Sequence, residues 1–356
     1  MMILCGEPVV TLSPKQMNKE KMNSWSIKDS GLSARIVNST VAAGFSSVGA
    51  LRKQSDETLF NLRGMGKTSL NEIHAYFDLC DCIFSRKKTF ENIENVLQLF
   101  WDKNECNVLS TRYGFFRQDL KASSNYYTLV KIGNEANRTR ERIRQIEVTA
   151  KKKLQSKLAK VCLDPFYEFF RDYLYSLGTL ASCSDLATLK NHPILGSYNP
   201  CSILLLLADY NPKSIAFYRN SFSVLSIETL YTLEKQILNY LKSLTHTVPL
   251  LDIIASLPDI PGLENPLHLK HTTETLLNHH PQVASMIDQR YFMPDQSRGL
   301  FIREVMQELP LPAHYQTITQ AANKKLTPTS RKGSGFVLKA LNNDPDCIRV
   351  EKGMYT

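Results

Sequence analysis

Long apolar runs are missing from this 356-residue sequence. The longest, Ile203 to Ala208, falls far short of the roughly 18–20 residues a membrane helix needs. Met1 to Cys5 is not followed by the apolar core of a signal peptide. A membrane location is therefore not expected, and the protein reads as cytoplasmic. Cysteine occurs eight times, at 5, 80, 82, 106, 162, 183, 201 and 347, but never as Cys-x-x-Cys and never with His at zinc-finger spacing. These thiols read as reduced, mostly buried small residues. Cys80, Cys82, His279 and His280 would surround a metal only by accident of folding, so no metal is expected. Catalytic motifs are missing as well: there is no Gly-x-Ser-x-Gly, no His-Glu-x-x-His and no nuclease-like acidic cluster. Gly66-Lys67-Thr68 looks like the end of a phosphate-binding Walker loop, but that loop needs Gly at position 61, where Asn61 stands. No catalytic residue and no cofactor is expected, and an enzyme is disfavoured.

What the sequence has is positive charge in one place. The formal net charge is +9, yet residues 131 to 160 alone hold ten Lys or Arg against three acids, a net of +7, which leaves +9 − 7 = +2 for the rest. Charge concentrated in this way suits a phosphate-binding surface better than general solubility. The length allows two to four domains, and 43% hydrophobic content is ordinary for a soluble globular protein.

Inside the basic segment lies Thr139-Arg-Glu-Arg-Ile-Arg-Gln-Ile-Glu147. On a helix, Arg140, Glu141, Arg144 and Gln145 share one face, with Ile143, Ile146, Ala150 and Leu154 on the other. Thr139 suits the N-cap. Arg and Gln near a helix N-terminus can bond guanine and adenine edges bidentately, Glu can accept from cytosine, and further arginines can hold phosphates. The preceding Thr128 to Arg138 supplies a short helix, with Leu129 and Ile132 inward, and then a tight break, together making a helix-turn-helix. Thr128 to Leu154 resembles region 4 of a bacterial primary sigma factor, the module that reads the −35 element of promoters, and Val108-Leu-Ser-Thr-Arg-Tyr-Gly114 resembles a turn of the same region. The resemblance implies base contacts by Arg140, Glu141 and Gln145 and backbone contacts by Arg142 and Arg144, with Thr139 at the cap. Arg138 departs from the small apolar residue usual there.

Upstream, Leu62-Arg-Gly-Met-Gly-Lys-Thr-Ser-Leu-Asn-Glu-Ile73 reads as a helix-hairpin-helix, whose glycines turn the backbone tightly before a helix that starts with free N–H groups. Leu32 to Ile73 resembles the carboxy-terminal domain of the RNA polymerase α subunit. The resemblance implies that Arg35 enters the minor groove of A/T-rich DNA, where a narrow groove concentrates negative potential. It also places Asn38, Gly66, Lys67, Ser69 and Glu72 at the DNA surface, while Ser39 and Thr68 replace the commoner Cys and Lys. Small helix-hairpin-helix folds bind protein partners as well as DNA, and both roles stay open.

After Pro165 the charge falls and a pattern recurs about every 65–70 residues: a helix end, a polar pair, a Pro, then a strand ending in an aromatic, at Phe222, Phe292 and Tyr355. This spacing fits tandem winged-helix units. The last resembles small winged-helix domains of bacterial transcription proteins and restriction and modification systems. It has a basic lead-in, Lys324, Lys325, Arg331 and Lys332, and it stops at Gly353 to Thr356, where a second wing strand should be completing.

The expected fold is mainly α: a flexible arm (1–26), a helix-hairpin-helix domain (27–84), a helix-turn-helix domain (88–164) and winged-helix-like units (166–225, 226–296, 297–356) with short β wings. The expected function is sequence-specific binding of double-stranded DNA by a bacterial or phage transcription regulator. The alternative is a DNA-sensing adaptor subunit in a defence or DNA-maintenance assembly. RNA polymerase or other protein subunits are candidate partners of the winged-helix tail, and no membrane is.

Overall fold

A computed structural model describes residues 19–85, 89–120 and 127–356. The flexible arm expected for 1–26 lies mostly outside these residues, but order begins earlier than Ile27. Helix α1 (Lys19–Asn23) buries Met22, and Trp25 follows it into the core, with its ring edge-on to Phe84 at 6.3 Å. These large apolar side chains have surface to remove from water, a signal that the surrounding lysines obscure in the sequence.

Next come α2 (Ala34–Ala42), α3 (Val48–Arg52), α4 (Asp56–Phe60) and α5 (Lys67–Phe84), then α6 (Ile93–Phe100), α7 (Lys103–Tyr113), α8 (Leu129–Glu135) and α9 (Arg140–Leu154). Polar side chains start most of them. Ser47, Ser55, Asn92, Asp102, Thr128 and Thr139 each accept a first-turn backbone N–H, and Asp102 with Glu105 forms a reciprocal capping box.

Helix α10 (Lys157–Ser176) contains Pro165, so the domain boundary expected beside that proline falls inside one continuous helix. An interior proline costs about 3 kcal/mol. Here Leu163, Phe166, Tyr167 and Phe170 are buried around it, and each such side chain returns roughly 1.5–3 kcal/mol, so the helix survives. The remaining elements are β1 (Leu180–Ser182), α11 (Pro200–Tyr210), β2 (Ala216–Tyr218), β3 (Ser221–Ser223), α12 (Ile227–Lys242), β4 (Val248–Pro249), α13 (Leu250–Ala255), α14 (Pro266–His279), β5 (Ala284–Ser285), β6 (Arg290–Phe292), α15 (Pro294–Met306), β7 (Ala313–His314), α16 (Tyr315–Lys325), α17 (Ser334–Asn343), β8 (Arg349–Glu351) and β9 (Met354–Tyr355).

Two compact units result. The first comprises the sequence up to Tyr173 together with Cys183–Ile215, and the second comprises Leu174–Ser182 with Ala216–Thr356. The segment 166–225, read from sequence as one winged-helix unit, is thus divided between them. In the first unit, Asn199 donates to the carbonyls of Arg117 and Asp119 at 2.9 and 3.0 Å, and Ser202 Oγ donates to Gly114 O at 2.9 Å.

The second unit holds strands β1 to β9. Three antiparallel sheets of three strands run β1-β3-β2, β4-β6-β5 and β7-β9-β8, so in each the last strand lies in the middle. The aromatics that mark the repeat sit on those central strands: Phe222 opposite Ala181 and Phe217, Phe292 opposite Ala284, and Tyr355 opposite Ala313 and Arg349. All three are buried. Phe292 and Tyr355 share one core with Phe301, Ile318 and Val337 of α15, α16 and α17, so Phe292 joins its sheet to the helices that follow it, while its neighbour Tyr291 packs in the core of α12, α13 and α14.

The hairpins differ. The β2–β3 turn places Arg219 and Asn220 at φ 48° and 61°, and Arg219 donates to the buried Glu234 of α12 through Nε at 2.9 Å and Nη2 at 3.2 Å. Tyr218 Oη donates to the same carboxylate at 2.5 Å. After β5, Ile287 N donates to Lys325 O at 3.0 Å. In the third hairpin, Arg349, Val350 and Glu351 are all exposed. Lys325, part of the basic lead-in, is bound to Glu308 at 2.6 Å.

His280 lies 3.7 Å from Glu234. Burial is the largest influence on its imidazole and holds the pKa below the usual value; Arg219 and Lys242 push the same way and Glu234 opposes them. A folded-state pKa below the unfolded one means that protonation favours unfolding. The stabilisation is complete above about pH 6.5 and declines as pH falls through the folded-state pKa. The urea midpoint of the second unit's unfolding should drop between about pH 7.5 and pH 5, and the drop should be smaller in His280→Gln; equal drops would remove His280 from the account.

Candidate nucleic-acid interface

Helices α8 and α9 meet at a turn that two residues enforce. Asn137 adopts φ 50°, a left-handed conformation that Asn tolerates better than most residues. Arg138 N donates to Gly133 O at 2.8 Å, and a Cβ on Gly133 would lie 2.6 Å from Arg138 O. Gly133 is thus required by close approach of the backbone. Arg138, the departure noted in the sequence, points outward and reaches Asn104 Oδ1 at 3.5 Å, so its size does not load the turn.

Thr139 Oγ1 accepts from Arg142 N at 3.2 Å and starts α9. Ile143, Ile146, Ala150 and Leu154 are buried, while Thr139, Arg140, Glu141, Arg142, Arg144 and Gln145 are exposed. The exposed groups form a network. Arg144 donates twice to Glu141, at 2.8 and 2.7 Å, Gln145 Nε2 donates to Glu141 Oε1 at 3.4 Å, and Arg142 Nη1 donates to Gln145 Oε1 at 3.3 Å. The Arg144 guanidinium holds the Glu141 carboxyl below the usual carboxylate range, so Glu141 stays an ionised acceptor beside the positive end of the helix.

The basic segment is not all surface charge. Lys153 Nζ binds the buried Glu105 at 2.7 Å. The buried Glu147 takes Lys151 at 2.9 Å and Arg112 Nε at 3.3 Å, while Arg112 Nη1 donates to Tyr127 O. Lys157 pairs with Asp29 at 3.2 Å. The net +7 read as one phosphate-binding surface thus splits: the first half of α9 faces outward, and part of the second half cross-links helices. Glu147 lies at i+4 from Ile143, on the inward stripe, a placement that could have marked it as structural. Trp101 Nε1 also donates to Ala150 O at 3.0 Å; a buried Trp seeks an acceptor, but nothing local in the sequence names which one.

In the helix-hairpin-helix, two long-range hydrogen bonds hold α2, one at its N-cap to α5 and one to the turn before α5. Ser33 N donates to Glu72 Oε1 at 2.6 Å, and Ser39 Oγ donates to Arg63 O at 2.8 Å. The hydroxyl at Ser39, where the similar domains usually carry Cys, supplies the second bond. Gly64 turns at φ 81°. Gly66 begins α5 with no side chain to cap it, and a Cβ there would meet nothing within 4 Å, which leaves the first N–H groups of the helix open. Arg35, Asn38 and Lys67 are exposed and Gly66 is half-buried; Ser69 is buried, and the half-buried Glu72 is committed to Ser33.

Residues 102–156 match the family model for Sigma-70, region 4, and residues 14–78 match that for the carboxy-terminal domain of the bacterial RNA polymerase alpha subunit. Both domains are present in this protein. No curated protein and no solved structure matches it. Both domains are DNA-binding, non-catalytic types, which makes this a DNA-binding protein with a role tied to transcription. Arg35 and the open start of α5 lie within the first of these domains, and α9 lies within region 4. Among the described residues no helix is long and apolar enough to cross a membrane.

Glu147→Ala would strand Arg112 and Lys151 between helices of region 4. A loss of about 2 kcal/mol of stability is expected from a broken, largely buried charged hydrogen-bond set, measured by urea unfolding of the full-length protein. A change within about 0.5 kcal/mol would reduce Glu147 to an ordinary surface residue.

Proposed function

We propose that this protein is a sequence-specific transcription regulator that reads a −35-like element with α9 and A/T-rich minor groove with Arg35. The observation that carries the reading is the two-sidedness of α9: its apolar face and Glu147 are spent on packing, while Arg140, Glu141, Arg142, Arg144 and Gln145 stand exposed in its first turns. Arg140, Glu141 and Gln145 are the proposed base-reading groups, and Arg142 and Arg144 face phosphates. The pairing with Glu141 gives Arg144 a second role, holding the carboxylate in place before DNA arrives. Arg35 and Asn38, one turn apart on α2, line the proposed minor-groove contact. Gly66 and Lys67 offer backbone N–H groups and a charge to a phosphate, and Ser69 and Glu72 support that turn from within.

The winged-helix units proposed at 166–225, 226–296 and 297–356 favour a tail that docks protein. Its first hairpin is committed to Glu234 and Ile287 of its second to Lys325, which suits spacing and partner contact better than groove reading. RNA polymerase is the partner that best fits the two DNA-reading domains. The same tail on an adaptor subunit would instead give stable co-purifying proteins and DNA binding without sequence preference.

Alanine at Arg140, Glu141 or Gln145 should each cost about 1–3 kcal/mol on the preferred duplex and relax preference at one base pair. Arg144→Ala should weaken preference at the same base pair as Glu141→Ala, and the double variant should lose less than the two single losses added. Equal losses on preferred and random duplexes would overturn the base-reading assignment.

A further inference from the structure

The two DNA-reading surfaces belong to one compact unit, and the point where they join is visible. Ser30, buried, turns the backbone by donating its hydroxyl to Ile27 O at 2.6 Å and accepting from Leu32 N at 3.2 Å. Gly31 follows at φ 89°, so close to the end of α9 that a Cβ on it would lie 2.8 Å from Ser156 Cβ and 3.8 Å from Lys153 O. Ser156 is itself buried and caps α10, accepting from Ala159 N at 3.2 Å. Beside this contact Lys157 Nζ meets Asp29 Oδ2 at 3.2 Å. The C-terminal end of α9, the start of α10 and the loop that leads into α2 therefore meet beside Gly31, four residues before Arg35.

This bounds the reach between the readers. From Arg140 to Ser156 is about 24 Å along a helix at 1.5 Å per residue. From Gly31 to Arg35 the backbone spans at most about 14 Å. With up to about 6 Å more between the two Cα atoms at the Gly31–Ser156 contact, Arg35 lies no more than about 44 Å from Arg140, on the order of one turn of B-DNA at roughly 34–36 Å. Two readers on a flexible tether would accept many spacings; two readers fixed end to end accept one.

We propose that the alpha C-terminal domain and region 4 of this protein form a single rigid reader of one composite duplex site. Its ligand is a major-groove element and an A/T-rich minor-groove element held at one fixed spacing within about one helical turn. The proposal rests on the DNA-reading assignment above and adds that the spacing itself is recognised.

The test is selection of bound molecules by the full-length protein from a random duplex pool, followed by spacing changes in the winning site. Both elements should be enriched in the same molecules at one separation. Inserting half a turn, about 5 bp, should lower affinity by about tenfold, to that of the better element alone. A full turn, about 10 bp, should not restore it, because the second element then lies beyond reach. Gly31→Trp, which wedges the junction away from the DNA-facing residues, should broaden the accepted spacing while leaving affinity for each single element unchanged. If that variant does not fold, Lys157→Glu should act in the same direction, and adding Asp29→Lys should restore the single spacing. Both elements enriched at scattered separations, retained affinity after the full-turn insertion, or enrichment of the major-groove element alone would overturn the composite reader and leave DNA reading by α9 intact; enrichment of the A/T-rich element alone would overturn both the composite reader and base reading by α9. A pool with no enriched sequence would overturn both.

Discussion

The inner face of α9 is the constraint on which the exposed polar surface of that helix depends. Ile143, Ile146, Ala150 and Leu154 are removed from water, and the apolar area they bury sets the rotation of the helix. Around that seam, Glu147 ties Arg112 and Lys151 together, Glu105 ties Lys153, and Trp101 bonds Ala150. With the helix fixed in rotation by packing and along its axis by these polar contacts, Arg140, Glu141 and Gln145 have one direction in which to point. A groove-reading helix needs that fixity, because base-edge hydrogen bonds tolerate little misplacement.

The protein handles its positive charge in two ways, and the difference is physical. Lys151 and Lys153 in the second half of α9 are neutralised by Glu147 and Glu105, acids that are themselves buried, where an unpaired charge would be costly. Arginines in the first half lie in water, paired only with Glu141 and Gln145, where an ion pair is worth little and exchanges readily for a phosphate or a base. Composition alone makes these residues equivalent. Solvation separates them.

The tail shows a similar division of labour. Each sheet has its last strand in the middle, and a buried aromatic sits on that strand. The hairpins have diverged. Arg219 accepts a left-handed conformation in return for a bidentate bond to Glu234, and Ile287 hydrogen-bonds to Lys325 O, whereas the third hairpin stays exposed. Two of the three hairpins are thus hydrogen-bonded to residues beyond their own sheet, and the strand Arg349–Glu351 of the third is exposed.

Much of this protein was legible in the sequence because the decisive signals were local. Helical period placed Ile143 to Leu154 inward and Arg140 to Gln145 outward, Thr139 named its own cap, and Phe222, Phe292 and Tyr355 marked the sheets. The sequence did not show that Met22 and Trp25 extend the first domain, that Pro165 lies within a helix, or that Cys183–Ile215 joins the first compact unit. Nor did it show that Ser69 is buried and that Lys151, Lys153 and Lys157 are bound to acids. These depend on partners tens of residues away: Phe84 for Trp25, Glu105 for Lys153, Asp29 for Lys157. Period, capping and turn chemistry are written within a few residues and survive being read alone. Burial and pairing are settled only when distant segments meet, and so the tertiary structure decided which charges of α9 stay exposed and which are paired with buried acids.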